Sequence, residues 1–339
     1  MKQQRIDDDD DQWQRLPQHV TQHILSYMPT NCAAKMSLLS KSWYTMWSTN
    51  PILNIDLDDV AFNKVRCPKS IYWPIVVDDV RDEFMNYLNK SLKRYQNQND
   101  CVHRLNLSMR CLSCPDSSFF IRKVFDNIEK EAGLVHGVCF SFTLCGTEHG
   151  LPDFFRILQA KQLRELNVKG CSLRQQFGYK EIKCCLLNRL FLENVFIDEA
   201  TVQGLFSRCP LIESLKLVNF YGLQRIKVTN DLRYLKECVI SAMMCINSEI
   251  EVESQSLESF CCYCPWRRTN LKLHPCQNLK KLSMHNLRIK DIFFRNLADE
   301  FPKLEDLIVT DCYGYERIDI SGNWLKSITI SIGSGDCGF

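Results

Sequence analysis

The sequence predicts an α/β chain in two parts. A small all-helical unit comes first. A solenoid follows, with a parallel sheet on its concave side and a mix of helices and short strands on its convex side. Three observations carry this. A helical apolar pattern, with Trp43 and Trp47 one turn apart, is compressed into residues 16–47. One template, apolar-x-x-apolar-x-apolar, then recurs about ten times, mostly at spacings of roughly 21 to 28 residues. Between its copies the chain is helical in some places and alternates apolar with polar residues in others.

In the N-terminal stretch, Val20, Ile24, Leu25 and Met28 fall on one helical face. Pro29 ends that helix, because it cannot donate to the ladder and disfavours α at Met28. Thr30 or Asn31 can cap the next helix, with Ala33, Ala34, Ser37 and Leu38 on its inner side. About forty residues are too few to bury a self-sufficient core, so part of this apolar surface is expected to be covered by another protein. Leu16-Pro17, Ile24-Leu25, Pro29, Ser40-Lys41-Ser42-Trp43 and Trp47 together resemble the F-box. His19 stands where that family usually has an acidic residue, Cys32 replaces a common Asp, and Ala34 replaces a larger aliphatic. The resemblance implies docking on a Skp-type adaptor and, through it, on a cullin. It makes Leu16, Pro17, Val20, Ile24, Leu25, Met28, Leu38 and Trp43 the apolar anchors. Trp47 is expected instead to hold the F-box against the link after it.

Composition narrows the remaining classes. The net charge of +2 exerts no general pull toward nucleic acid or membrane. No apolar run reaches the roughly 18 residues of a membrane span. The N-terminus has no signal-peptide region, and Asp7 to Asp11 read as a solvated leader. A cytosolic or nuclear protein is expected, in which the 19 cysteines are reduced thiols. The expected division is a disordered acidic leader at 1–12, an F-box at 13–55, a linker and capping helix at 56–100, repeats at 101–332 and a tail at 333–339.

After the F-box, residues 51–57 read as a short extended link. Residues 75–97 read as an amphipathic helix, with Val76, Val77, Val80, Phe84, Tyr87, Leu88, Leu92 and Tyr95 on one face, capping the first unit of the array. The template then appears as Val102, Leu105, Leu107; Val135, Val138, Phe140; Leu163, Leu166, Val168; and Leu187, Leu190, Leu192. It continues as Leu211, Leu215, Leu217, with one extra residue; Leu235, Cys238, Ile240; and Leu257, Phe260, Cys262. Leu279, Leu282, Met284; Leu304, Leu307, Val309; and Leu325, Ile328, Ile330 complete it. Cys171, Asn194, Asn219, Asn286 and Cys312 read as one ladder position. This pattern resembles a divergent leucine-rich-repeat array.

Residues 117–131 (stopped by Gly133), 153–160, 198–208 and 290–300 read as helical returns. Ile182/Cys184, Ile226/Val228, Ile250/Val252, Leu271/Leu273 and Ile318/Ile320 read as a second line of short strands. The combination resembles the plant group of F-box proteins with leucine-rich repeats. No polar capping unit follows Ile330, so an open sheet edge is expected there.

No catalytic residue, metal or cofactor is expected. Cys111-x-x-Cys114, Cys184-Cys185 and the Cys261, Cys262, Cys264 cluster lack the paired spacing of a four-ligand zinc site. The Glu148-His149 pair reads as an exposed turn, Trp266-Arg267-Arg268 as a surface turn, and no phosphate loop or nucleophile elbow appears. The resemblance implies a substrate receptor of an Skp–cullin–F-box ubiquitin ligase. The alternatives are a non-degradative repeat scaffold or inhibitor with a vestigial F-box, and a small-molecule sensor of the same two-part plan. Outward positions of the template place Arg189, Phe191, Lys216, Tyr263, Lys281 and His285 as candidate target contacts.

Overall fold

The computed structural model describes residues 16–28, 30–57, 78–98, 100–112, 116–131, 133–145, 154–170, 172–173, 182–242, 249–264, 269–320 and 325–331. The expectations for residues 1–12, Pro29, Cys114, 148–149, Cys171, 266–268 and 333–339 lie outside them. The chain divides into two compact units, Met1–Met109 with Lys130–Cys139, and Arg110–Glu129 with Phe140–Phe339.

The first unit begins with three short helices, α1 (Gln18–Ser26), α2 (Thr30–Met36) and α3 (Lys41–Ser48). Strand β1 (Ile52–Asp56) follows, then the long helix α4 (Asp78–Asn97). Residues 51–57, expected as a link, therefore contain a strand. β1 pairs in parallel with the start of β2 (Arg104–Leu112), from Ile52 opposite Arg104 to Asp56 opposite Ser108. Its alternation is two-fold, with Leu53 and Ile55 buried and their neighbours partly exposed. Of the expected α4 face, Phe84, Leu88, Leu92 and Tyr95 are buried and Tyr87 is half-buried, while Val76 and Val77 lie outside the described residues.

Further along the chain a helical return, α5 (Asp116–Lys130), is followed by β3 (Val138–Cys145), α6 (Phe154–Leu158), β4 (Leu163–Lys169) and β5 (Arg189–Glu193). Next come α7 (Glu199–Arg208), β6 (Ser214–Val218), β7 (Arg225–Val228), β8 (Glu237–Ser241), β9 (Glu249–Val252), β10 (Ser259–Tyr263) and β11 (Asn270–Leu273). The described chain closes with β12 (Lys281–His285), α8 (Asp291–Arg295), α9 (Leu297–Glu300), β13 (Asp306–Thr310) and β14 (Ser327–Ser331). The long sheet has 11 strands in the order β1-β2-β3-β4-β5-β6-β8-β10-β12-β13-β14. Each return brings the chain back to the same end, so neighbouring strands pair in parallel.

The rungs are in register. Leu190 lies opposite Leu215, then Cys238, Phe260, Leu282, Leu307 and Ile328. All but the last are fully buried; Ile328 is 51% exposed. One rung differs from the sequence reading. Ile212 is fully buried and Leu211 is 36% exposed, so Ile212, Leu215 and Leu217 fit the template with no extra residue.

The ladder position also divides in two. Gly170, Asn194, Asn219, Asn286 and Asp311 directly follow their strands and have φ between 52° and 72°. Gly, Asn and Asp tolerate this left-handed backbone best. From there each N–H donates to the carbonyl that ends the next rung, as Asn219 does to Ser241 at 2.7 Å and Asn286 to Thr310 at 3.0 Å. Cys312 belongs to the following position, which is buried like Val195 and Leu287.

Of the five alternating pairs, three form strands. β7, β9 and β11 make a second parallel sheet in the order β11-β9-β7. Its outward charges face each other in register: Glu249 lies 3.9 Å from Arg225 and 2.5 Å from Lys272. Ile182 and Cys184 are buried without strand pairing, and 318–320 are irregular. The return at 290–300 is broken at Asn296 into α8 and α9. α5 ends at Lys130, before the expected stop, and Gly133 does not adopt a left-handed φ. Gly222 does, at φ +90°, and a Cβ there would lie 2.8 Å from the Ile197 carbonyl.

Candidate functional site

Two regions carry the residues that the sequence singled out. The first is on the helical unit. Its core is small: Leu25, Ala33, Trp43 and Met46 are buried, with Met28, Met36 and Trp47 packed against them. Ser40 caps α3 by accepting the Trp43 N–H at 3.3 Å, which fixes the entry of the helix that carries both tryptophans.

Leu25 and Trp43 were expected as anchors for a partner, but they lie inside this core. They hold the three helices together, because so few apolar side chains are available to do so. α1 buries Thr21 and Leu25, not the face centred on Ile24. Val20, Leu16 and Met28 are half-buried, and Pro17 is exposed. Leu38 is 83% exposed rather than inward, and Tyr27 (77%), Leu39 (66%) and Tyr44 (54%) join it. The sequence reading missed these last three, although the need to cover apolar surface on so small a unit pointed to residues of this kind.

Side-chain hydrogen bonds tie the helices to β1 within the same unit. Asn54 donates through Nδ2 to the Ser26 carbonyl at 2.6 Å and the Met28 carbonyl at 3.0 Å. Asn106 donates to Asn54 Oδ1 at 2.6 Å. At the other end, the Tyr95 hydroxyl of α4 donates to the Asn50 carbonyl at 2.6 Å. The Arg94 guanidinium sits 3.8 Å over the Trp47 ring. Trp47, expected to hold the F-box against the link at 51–57, is covered by Arg94 of α4. Burial pushes the Tyr95 hydroxyl above its ordinary pKa, against the opposing pull of Arg94, so it stays a donor.

The second surface is the outward face of the long sheet. All six expected contacts point there, since they alternate with the buried columns. They form two groups. Phe191 lies directly opposite Lys216, with Arg189 one pleat away on the same strand. Tyr263 lies opposite His285, with Lys281 further along β12. Phe191 and Tyr263 are three strands apart, roughly 15 Å at parallel spacing.

Their charges are already matched. Arg189 faces Glu165 at 3.5 Å, Lys216 faces Glu237 at 2.8 Å and Lys281 faces Asp306 at 3.7 Å. Burial alone would raise the Glu237 carboxyl, but hydrogen bonds from Lys216 and Ser214 hold it below the ordinary range. His285 pairs through Nδ1 with Thr310 Oγ1, and its partial burial lowers its pKa. The uncancelled features are aromatic: Phe191 under Lys169, and the Tyr263–His285 ring pair. No described helix is long and apolar enough to cross a membrane.

Comparison with known proteins finds relatives of both parts of the chain. Residues 13–54 match the F-box domain, and residues 155–334 match the leucine-rich-repeat domain described as At1g61320/AtMIF1. Similar proteins from Arabidopsis thaliana include the F-box/LRR-repeat protein At3g18150, 22% identical over 93% of this chain and 61% of its own length. The F-box/FBD/LRR-repeat protein At5g22700 is 23% identical over 63% of this chain and 42% of its own length. The F-box/LRR-repeat protein At3g03360 is 26% identical over 60% of this chain and 37% of its own length. The chain thus spans between about a third and two thirds of the length of these relatives. It belongs to the family of F-box proteins that carry a leucine-rich-repeat domain of the At1g61320/AtMIF1 type.

Proposed function

We propose that this chain is the substrate-recognition subunit of an Skp–cullin–F-box ubiquitin ligase, acting in the cytosol or nucleus. F-box domains generally bind Skp-type adaptors, and F-box/LRR proteins are typically non-catalytic adaptors. The observation that supports docking most directly is the exposure of Leu38, Tyr27 and Leu39 on three short helices whose core, among the described residues, has four buried apolar side chains. In this reading the F-box engages the adaptor, which connects it to the cullin. The outward face of the long sheet holds a target protein through Phe191, Tyr263 and their basic neighbours. The chain supplies no nucleophile or acid. Its contribution is proximity: a target lysine held near the charged conjugating enzyme reacts at a raised effective concentration.

The test uses the full chain and a purified Skp-type adaptor. Wild type is expected to be retained, and Leu38→Asp/Leu39→Asp to bind at least ~10-fold more weakly while melting at the same temperature. Leu16→Ala/Pro17→Ala tests the start of the motif in the same way. Failure of the wild-type chain to bind would leave the repeats as a scaffold with a vestigial F-box. With binding established, a bound target whose abundance does not depend on the cullin would overturn the degradative role.

A further inference from the structure

We propose that Cys101, His103 and His136 form a zinc-binding site at the start of β2. All three belong to the first compact unit. A single parallel bridge between Val102 and Val135 creates the site. Val102 N–H donates to the Leu134 carbonyl at 2.9 Å, and His136 N–H donates to the Val102 carbonyl at 2.9 Å. This register sets His136 beside His103, about one strand spacing (~4.8 Å) away. Cys101 and His103 are two residues apart on one extended segment, so they share a side.

Val102 and Val135, the alternate positions, are fully buried. Their burial fixes the other three side chains on the outward side: Cys101 is half-buried, and His103 and His136 are exposed. The two imidazole rings lie nearly parallel, at 12° and 5.7 Å between centroids. One donor atom from each residue, a sulfur and two ring nitrogens, lies within 4.8 Å of the others. With zinc bonds of about 2.0–2.3 Å, neighbouring donors of a tetrahedral site are roughly 3.5 Å apart. Side-chain rotation of about 1 Å closes that gap.

The donor set selects the ion. One thiolate and two imidazoles suit a borderline-soft divalent metal, whereas calcium and magnesium want oxygen. Exposure leaves the fourth position to water. Among the described residues, none of the three side chains is committed to a hydrogen bond, so binding breaks no existing one. The ligands come from segments separated by β2 and α5, so zinc would pin the lead of β2 to the chain that returns after α5. An ion that binds only the folded chain stabilises it. A search for paired cysteines cannot find this site, because the strand register, not sequence spacing, brings His136 to the other two.

The experiment titrates Zn²⁺ into the full chain, reduced and stripped with a chelator, against a competing chromophoric chelator. Thermal melts are run in parallel. One equivalent is expected to bind with a rise in Tm of several degrees. His103→Ala and His136→Ala should each weaken binding at least ~10-fold while the metal-free variants melt as the metal-free wild type does. With Co²⁺ in place of Zn²⁺, a thiolate-to-metal charge-transfer band is expected, and Cys101→Ser should remove it. Absence of one-equivalent uptake overturns the site. So does uptake that the histidine variants leave unchanged, which would assign the metal to other cysteines. If a histidine variant is less stable without metal, the cobalt spectrum of Cys101→Ser decides: a persisting band overturns the proposal.

Discussion

In the repeat region the inward residues of each central rung, such as Leu190 and Leu192 or Leu215 and Leu217, are fully buried. In the F-box region, leucines at comparable density behave differently: Leu25 is buried, while Leu38 and Leu39 are largely exposed. A rung sits between two others, so each inward residue meets apolar side chains from both sides, as Leu215 meets Leu190 and Cys238, and the core extends as rungs are added. Three short helices have no such neighbours. Among the described residues they bury four apolar side chains, pack Met28, Met36 and Trp47 against them, and leave Tyr27, Leu38, Leu39 and Tyr44 outside, where a partner can reach them. The local hold on this region comes partly from polar atoms, with Asn54 gripping the end of α1 from β1.

The largest contrast is expected from two leucine truncations. Leu217→Ala should cost about 2–5 kcal/mol, because it empties a packed column. Leu39→Ala should change stability by less than ~0.5 kcal/mol. Urea titrations of the two variants measure both numbers. Equal costs would mean that Leu39 is part of a core and would break the comparison.

Next in size is Asn54→Ala. It leaves the Ser26 and Met28 carbonyls and the Asn106 amide without this partner, at about 1–3 kcal/mol. Hydrogen exchange should show α1 amides opening faster in this variant while β5 and β6 keep their protection. Uniform acceleration along the chain would show that the polar hold is not local.

The smallest effect is expected from Glu258→Lys. Glu258 sits in an alternating ladder, bonded to Lys280 at 2.7 Å and followed by Glu305 and Lys326 at 2.9 Å. The reversal sets like charges side by side and should lower Tm by about a degree or two at low salt, a difference that fades above ~0.5 M salt. The bond from Lys280 holds the Glu258 carboxyl below the ordinary range. Its contribution is therefore complete above the unfolded value of about 4.3 and is lost as pH falls through the lower folded one. A melt series across that window should show less acid sensitivity in Glu258→Gln than in wild type.

Periodic features were legible because each repeat restates them. The buried columns, the outward positions of Arg189, Phe191, Lys216, Tyr263, Lys281 and His285, and three of the five return strands follow from alternation alone. Features that occur once were harder. β1 carries only a fragment of the template, and its partner β2 begins 52 residues on (52 to 104), so residues 51–57 read as a link. Leu211 and Ile212 are equally apolar, and only the packed rung tells which turns inward. Asn194 and Cys312 looked alike as ladder residues until backbone φ separated them.

By itself the sequence determined the order of parts, the repeat and the F-box motif, because hydrophobic period and short motifs are local properties of the chain. Tertiary structure alone decided that Leu25 and Trp43 face inward while Leu38 faces solvent. It alone joined β1 to the long sheet and set Cys101, His103 and His136 side by side. Those outcomes depend on which distant segments share a hydrogen-bond register and which side chains win the few interior places, and neither is written in any one stretch of sequence.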